Sequence, residues 1–220
     1  MAVIEEPLVD VIVSGVHDVK NVIFDALTRI DVARQHAVAG NGAGVVPLLD
    51  EASTALDQAV SRLSAALSAY RLERHENPVA LLPVVVPDFL AEILLRGASR
   101  GDEGAIAIDV ACRCEGLWLF DRELVGEALV NAIQNARRFA VSRIRIGADA
   151  TRGWLNLRVE DDGPGFEGGN ALPGTESRGV GLLVGARIAR LHERGGRTGR
   201  LDLSTGGELG GAVFSLWLPG

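Results

Sequence analysis

Two adjacent carboxylates, Asp161 and Asp162, follow a short alternating apolar run and precede a Gly-Pro-Gly turn. The alternation over 154–159 predicts a strand that buries every second side chain. Glycine allows a positive φ and a close approach of the backbone to a ligand, and proline stiffens the turn between the two glycines. An acid fixed at the end of such a strand could accept a hydrogen bond from a ligand amine. The same string also occurs in ordinary turns, so its meaning depends on the motifs around it.

A predicted helix over 121–140 carries a line of polar side chains on one face. Glu127, Asn131 and Asn135 follow one another at spacings of four, and Arg138 lies three residues further on. Residues at these spacings share one face of a helix. Amide oxygens are ligands that Mg²⁺ accepts, and a cation beside them suits a phosphate. A metal–phosphate ligand is one interpretation of this face, and a plain solvated face is the other.

A second glycine pair, Gly179 and Gly181, leads directly into a predicted helix over 179–192. Backbone N–H groups at a helix N-terminus form an anion site, which glycines leave open to phosphate oxygens. The thirteen residues 166–178 between the two glycine turns are rich in glycine, proline and small polar residues. This composition is typical of a mobile lid.

The first part of the chain predicts two long helices, over 7–39 and 47–74, joined by a glycine-rich turn at 40–44. Their apolar residues recur at spacings of three and four. The stripe of the first helix is Leu8, Ile12, Val16, Val19, Ile23, Ala26, Ile30 and Ala33. The stripe of the second is Leu49, Ala52, Leu56, Val60 or Ala59, Leu63, Leu67 and Tyr70. An antiparallel hairpin of this kind leaves apolar flanks exposed, so we predict a homodimer in which two hairpins form a four-helix bundle.

Beyond a linker at 75–78 the pattern changes to short alternating elements. We predict helices over 88–100, 121–140 and 179–192, with Asp121 as the N-cap of the second. Predicted strands cover 105–112, 116–120, 142–148, 153–160, 200–204 and 212–218. This order predicts an α+β fold, with helices on one face of a mixed sheet. The predicted domains are therefore residues 1–77 and 78–220.

Composition excludes several classes of protein. The chain has 220 residues, a net charge of -7 and 47% hydrophobic residues, of which few are aromatic. Without a basic stripe it is not expected to bind nucleic acid. No signal peptide or membrane-spanning stretch is predicted, so we expect a soluble cytoplasmic protein without a membrane partner. Cys112 and Cys114 supply only half of a zinc site and are interpreted as small apolar residues.

Taken in order, the motifs resemble the boxes of the GHKL ATP-binding fold, the superfamily of sensor histidine kinases, gyrase-type ATPases and Hsp90. The resemblance covers about residues 121–218. It depends on Asn131-x-x-x-Asn135, Asp161-x-Gly163-x-Gly165, Gly179-x-Gly181 and the late string Gly210-Gly211-Ala212-Val213-Phe214.

The resemblance implies a role for each matching residue. Asp161 would bind the adenine amino group of ATP, Asn135 with Asn131 would hold Mg²⁺, and Arg138 would contact phosphate. The turn glycines would line the nucleotide: Gly163, Gly165, Gly179 and Gly181. Glu127 lies where gyrase-like relatives place a water-activating base, so slow hydrolysis is one alternative and a simple helix-face acid is the other.

The first helix carries the string His17-Asp18-x-x-Asn21 ahead of the hairpin turn. This order of hairpin and ATP-binding domain resembles the dimerisation and phosphoacceptor domain of histidine kinases. The resemblance implies a two-component protein-histidine kinase, which autophosphorylates His17 from ATP and passes the phosphoryl group to an aspartate of a response regulator receiver domain. Asp18 would remove a proton from the imidazole, and Asn21 would orient water in a phosphatase reaction on the regulator.

The chain departs from the family pattern at several places. Asp18 and Val22 replace the usual Glu and Pro, Ala212 replaces a usual Thr, and the lid is short. These departures leave an alternative open. The chain could be a non-ATPase histidine phosphotransfer protein or scaffold that retains a degenerate ATP-binding domain.

Overall fold

The structure is a computed structural model that describes residues 8–74, 79–97, 106–166 and 180–220. The chain forms two compact units, which divide between Arg74 and His75. Each unit is considered by itself below.

The first unit is a pair of long helices, α1 (Leu8–Val38) and α2 (Val45–Arg74), joined through a 3₁₀ turn at Gly42–Gly44. The prediction of two helices and a glycine turn is confirmed. The second helix begins two residues earlier than expected, because Pro47 is accommodated in its first turn, where no helical N–H is needed. Arg29 of α1 forms ion pairs with Asp25 and with Glu51 of α2.

Small side chains form the interior of this helix pair. The buried apolar residues recur every seven positions on both helices: Val19, Ala26 and Ala33 on α1, and Ala52, Ala59 and Ala66 on α2. The larger members of the predicted stripes remain exposed at the flanks: Val16, Ile23, Ile30, Leu49, Leu56, Val60, Leu63, Leu67 and Tyr70. The side chains of Leu8 and Ile12 lie outside the described residues. The sequence predicted one apolar stripe on each helix, whereas the structure divides each stripe into a buried alanine line and an exposed large-residue flank.

The second unit is built on a five-stranded mixed sheet. Its strands are β2 (Ala107–Arg113), β4 (Arg143–Thr151), β5 (Trp154–Asp161), β8 (Arg200–Thr205) and β9 (Ala212–Pro219), in the order β2-β4-β5-β9-β8. Only β2 and β4 are parallel, and the other neighbouring pairs are antiparallel. The helices are α3 (Val86–Gly97), α4 (Arg122–Phe139) and α5 (Val180–Leu191). The predicted α+β class and the predicted central helix are confirmed.

The predicted strand over 116–120 is confirmed, but its pairing with an earlier strand and a short hairpin after α5 were not predicted. β1 (Leu82–Val85) pairs antiparallel with β3 (Leu117–Phe120), although Pro83 lies within it. Proline is tolerated there because β1 has only one neighbour in the described chain. β6 (Glu193–Arg194) and β7 (Arg197–Thr198) form a short hairpin after α5.

The three helices cover one face of the sheet. On β5 the alternate residues Leu155, Leu157 and Val159 are buried in the core, with large fully buried side chains from α3 and α4 such as Phe89 and Leu129. The opposite face carries ion pairs, including Arg158 with Asp149 and Glu160. Among the described helices, none has both the length and the apolar character needed to cross a bilayer.

Candidate functional site

Asp161 is the last residue of β5 and is held in a fixed orientation by backbone groups. Alternation along the strand places it on the helix-covered face, where only 3% of the residue is exposed. Its Oδ1 accepts hydrogen bonds from the N–H of Gly163 at 2.9 Å and of Ala212 at 3.0 Å. Its Oδ2 makes no hydrogen bond with any described residue. Within the described part of the chain, one carboxylate oxygen is therefore fixed by hydrogen bonds, and the other remains available as an acceptor.

Glycines allow the backbone to pack closely around this carboxylate. A Cβ at Gly211 would overlap the backbone oxygen and Oδ1 of Asp161, and a Cβ at Gly163 would overlap the carbonyl oxygen of Phe139. The N–H of Gly211 donates to the Asp161 carbonyl oxygen at 3.0 Å. The late glycine string at 210–211 is thus packed against the Asp161 turn.

The turn continues through Gly165 onto the end of β8. Gly165 has a φ of +78°, which L side chains rarely adopt, and a Cβ there would also overlap Thr205. The Phe166 N–H donates to Thr205 Oγ at 2.9 Å, and the Thr205 hydroxyl donates to the Phe166 carbonyl oxygen at 3.2 Å. The predicted strand over 200–204 ends one residue before Thr205, and nothing in the sequence singles out the contact of this residue with the turn.

Asp162 ties the same turn to the end of α4. Its carboxylate accepts the N–H of Val141 at 2.8 Å and both the N–H and the hydroxyl of Ser142. The hydrogen bonds from Ser142 are the main cause that holds the pKa of Asp162 well below its usual range. The sequence predicts no role for Asp162, and the structure shows that its carboxylate joins the turn to the residues that follow α4.

Asn131 and Asn135 lie on one face of α4, one turn apart. Asn135 Nδ2 donates to Asn131 Oδ1 at 3.3 Å, and the Asn131 amide lies directly against Gly181 in the first turn of α5. Any side chain at Gly181 would overlap that amide. Further along α4, the Arg138 guanidinium lies 5.4 Å from the ring centre of Phe139.

The position of α4 is set by a buried network at its N-terminus. Asp121 is the N-cap, as predicted, and accepts the N–H groups of Glu123 and Leu124. The backbone N–H of Asp121 donates to Nε2 of buried His192 at 3.0 Å, and His192 Nδ1 donates to the Ile188 carbonyl oxygen at 2.7 Å. Burial lowers the pKa of His192, because the charged imidazolium would lose its hydration there, and the neutral ring can accept at Nε2. His192 was not singled out in the sequence, where a lone histidine gives no signal.

These contacts bring most of the predicted residues to one edge of the second unit. The first turn of α5 contacts α4 at Asn131. The Asp161–Gly163 turn contacts the C-terminal end of α4, at Phe139. Gly179 and residues 167–178 of the predicted lid lie outside the described residues. The arrangement presents a free carboxylate oxygen, amide groups and a helix N-terminus, which together suit a ligand with an amine at one end and phosphates at the other.

The amide groups also fit a magnesium ion that is shared with phosphates. No group of three or more His, Cys, Asp or Glu side chains gathers in the described part of the chain, so a fully protein-bound metal is not indicated there. Mg²⁺ characteristically takes few protein ligands and completes its shell with phosphate oxygens and waters. Asn135 is exposed and has an amide oxygen to offer, so the residues present fit the ion.

His17 belongs to the first unit and lies on the exposed surface of α1, as does Asp18. Asn21, one turn further, places its Nδ2 3.3 Å from His17 Nδ1. The three residues of the acceptor string therefore share an accessible patch of one helix.

The second unit matches a known protein family. Residues 120–220 match the family described as histidine kinase-, DNA gyrase B- and HSP90-like ATPase. The two-component sensor PhoQ of Pseudomonas aeruginosa is 34% identical over 106 residues, which cover 44% of this chain and 22% of that protein. The chain therefore matches less than a quarter of the length of this relative.

Solved structures share the fold. The Acinetobacter baumannii histidine kinase AdeS superposes with a TM-score of 0.58 at 15% identity, over 88% of this chain and 94% of that one. The ATP-binding domain of PrrB from Mycobacterium tuberculosis gives a TM-score of 0.51 at 24% identity, over 64% and 97%. The full-length structure of ShkA in complex with AMPPNP gives 0.57 at 22% identity, over 77% and 38%. Residues 120–220 are thus similar to GHKL-type ATPases, and the chain shares its fold with these histidine kinase structures.

Proposed function

We propose that this chain is the catalytic core of a two-component histidine kinase. It would bind ATP in the second unit, transfer the γ-phosphoryl group to His17, and pass that group to an aspartate on a response regulator receiver domain. The observation that carries the proposal is the carboxylate of Asp161, which is fixed through Oδ1 and open at Oδ2. Such a group accepts an exocyclic amine and rejects a carbonyl at the same place, which selects adenine over guanine.

The phosphates would extend from Asp161 toward α5. Gly163 and Gly165, which pack against the Phe139 carbonyl oxygen and Thr205, would hold the turn beside the base. Gly181, with Gly179 before it in the sequence, would let phosphate oxygens reach the first N–H groups of α5. Arg138 would supply a positive charge near the end of α4. Asn135, with Asn131, would hold Mg²⁺, which when bound neutralises phosphate charge during transfer.

The side chains near His17 support its proposed role as the phosphoryl acceptor. A neutral imidazole attacks through one nitrogen while the other carries the proton. The Asn21 amide already lies next to Nδ1, and a half-turn of this amide would present its oxygen, which accepts Nδ1–H and leaves the Nε2 lone pair for the attack. Nε2 would bond to the γ-phosphorus as the bond from that phosphorus to the ADP oxygen breaks and ADP leaves. The Nδ1 proton would then pass from its hydrogen bond with Asn21 to Asp18, the adjacent carboxylate. On the phosphorylated regulator, Asn21 would orient a water, which gives the chain a phosphatase activity.

The first unit would act as a homodimer. Its exposed flanks carry leucines that are 38% to 49% exposed at positions 49, 56, 63 and 67. Burying each leucine in a second hairpin would contribute roughly 1 kcal/mol from the area removed from water. Two copies would then form a four-helix bundle, with His17 on its outer surface. Because ATP is the phosphoryl donor, we place the reaction in the cytoplasm.

Phosphoryl transfer from ATP labelled at the γ-position tests the proposal. The wild-type chain should acquire an acid-labile label, and His17→Gln should lose it while still binding Mg-ATP. His36→Gln is the matched control, because His36 is another histidine of α1 and should leave labelling intact. A label that persists in His17→Gln would exclude His17 as the acceptor.

A second candidate is a histidine phosphotransfer protein or scaffold that does not turn over ATP. Ala212 favours it, since this residue supplies only a backbone N–H to Asp161 where a threonine would add a hydroxyl. The same experiment separates the two. A scaffold would accept a phosphoryl group on His17 only from a phosphorylated partner, and it would remain unlabelled with ATP alone.

A further inference from the structure

Two thiols face each other at the end of the edge strand β2. Cys112 belongs to the strand and Cys114 follows it, and their sulfur atoms are 3.4 Å apart. The Cys112 thiol also lies 3.6 Å from the carbonyl oxygen of Cys114. The two sulfurs are therefore in direct contact, with no atom between them. In the sequence these residues were interpreted as small apolar side chains, and that interpretation gave no reason for such a contact.

The backbone at this point allows the two residues to be joined. Residues two apart on an extended strand have Cα atoms about 6.6 Å apart, near the upper end of the roughly 4.4–6.8 Å that a disulfide bridges. The ladder of β2 ends at Arg113, which is paired with Asp149, so Cys114 lies beyond the last paired residue. Small backbone and side-chain rotations there can shorten the sulfur separation without breaking a ladder hydrogen bond.

The two thiols differ in access to solvent. Cys112 is exposed, whereas Cys114 is 7% exposed. Burial, followed by the neighbouring Cys112 thiol and the charge of Asp149, raises the pKa of Cys114 to about 12. A reagent in solution therefore meets Cys112 first, and the 3.4 Å contact between the sulfur atoms, not the acidity of Cys114, makes Cys114 the group that reacts next.

We propose that Cys112 and Cys114 are a thiol–disulfide pair, which a low-molecular-weight disulfide oxidises to an intramolecular bond through Cys112. In the first step the Cys112 thiolate attacks one sulfur of the oxidant, forming a mixed disulfide and expelling one thiolate, which takes up a proton. In the second step the Cys114 sulfur gives its proton to solvent and attacks Cys112 Sγ, expelling the second thiol. Two protein thiols are oxidised and one disulfide is reduced to two thiols.

Two neighbouring thiolates could instead bind a soft metal ion. Zinc would need four ligands, and no third His, Cys, Asp or Glu joins the pair among the described residues. In a tetrahedral zinc site each sulfur lies about 2.3 Å from the ion. Two sulfurs bound in this way are further apart than the sulfurs of Cys112 and Cys114. The disulfide is therefore the product that this geometry favours.

The pair is remote from the Asp161 turn. Cys112 is opposite Ala148 of β4, and Asp161 is opposite Ile144, four residues earlier on the same strand. This spacing corresponds to about 13 Å along β4. Oxidation is therefore expected to leave nucleotide affinity unchanged, and the inference does not depend on the proposed kinase function.

The test uses the reduced full chain and oxidised glutathione, with the reaction stopped in acid. Free thiols are counted after denaturation, and the intact mass is measured. The wild-type chain should lose both thiols and two hydrogen atoms and should retain no glutathione. Cys114→Ser should keep a glutathione on Cys112, because nothing remains to displace it. Cys112→Ser should stay unmodified while folded.

Several results would overturn the proposal. A wild-type chain that keeps both thiols, or that accumulates glutathione on Cys112 without closing the ring, would do so. Chains linked to one another on a non-reducing gel would also contradict an intramolecular bond. The wild-type arm decides the question even if a serine variant folds poorly, and circular dichroism of each variant identifies that case.

Discussion

Replacing Asp161 with asparagine should weaken ATP binding and leave the fold intact. The structure determines how the new side chain sits. Two N–H groups point at Oδ1, from Gly163 and Ala212, so the amide oxygen must take that place, because an amide nitrogen would face two donors. The amide nitrogen then replaces Oδ2, and the acceptor offered to the ligand becomes a donor.

The size of the effect follows from that exchange. A hydrogen bond to a charged group contributes about 1.5–3 kcal/mol, and the substitution both removes it and sets two donors against each other. With 1.4 kcal/mol for each factor of ten, ATP should bind about 10- to 150-fold more weakly. GTP, which presents a carbonyl oxygen in place of the adenine amine, should lose less affinity or gain some. The variant should therefore narrow the preference for adenine.

Calorimetric titration with Mg-ATP and Mg-GTP measures both changes. Asp202→Asn is the matched control, because Asp202 is an exposed acid on β8 that pairs only with Arg200 among described residues. Its nucleotide affinities should equal those of the wild type. If Asp161→Asn bound ATP as tightly as the wild type while its thermal unfolding was unchanged, the assignment of this carboxylate to the base would be wrong.

Three further predictions concern packing, pH and assembly. Gly211→Ala should lower the thermal stability of the second unit and abolish nucleotide binding, because its Cβ overlaps the ligand carboxylate, whereas Gly147→Ala, which meets only ordinary contacts, should be tolerated in both assays. The free energy of unfolding, measured with urea, should decrease as the pH is lowered from about 7.5 to 5.5. In His192→Gln this decrease should be smaller. The folded pKa of this histidine lies below the unfolded value of 6.5, so the unfolded chain takes up the proton first as the pH drops. Leu63→Glu should convert the dimer to a monomer, as measured by light scattering at micromolar concentration. Val38→Glu, at an 85% exposed position near the turn, should leave the dimer intact. A monomeric wild-type chain would refute the four-helix bundle.

Much of the second unit could be predicted because its elements follow simple patterns. The alternation that ends at Asp161 and the Asp121 cap are local signals, and both behave in the structure as physical chemistry requires. The carboxylate oxygen left open on Asp161 could not be predicted, because it depends on Ala212, which lies fifty-one residues further on and reaches it only through sheet pairing. The role of His192 was missed for the same reason, since its partner is a backbone N–H seventy-one residues away.

The helix pair shows a different limit. A spacing of three and four predicts which face is apolar but does not separate the small residues from the large ones within it. The close packing of α1 and α2 places small side chains in the interior, where Val19 and the alanines are buried and the larger apolar residues are not. The short strands β1 and β6 were missed because Pro83 and the Gly195-Gly196 pair read as breaks.

The alanine interior of the first unit has a consequence for how the chain responds to dilution. Among the side chains that the structure describes, α1 and α2 of one chain bury five alanines and one valine between them, which is little apolar area for helices of this length. In the proposed dimer, most of the free energy that keeps this unit folded comes from the second copy, so mass action couples its folding to protein concentration. The second unit closes its own core around Phe89 and Phe120 and has no such dependence. A calorimetric scan should then show two melting transitions, of which only the one belonging to the helix pair shifts when the sample is diluted.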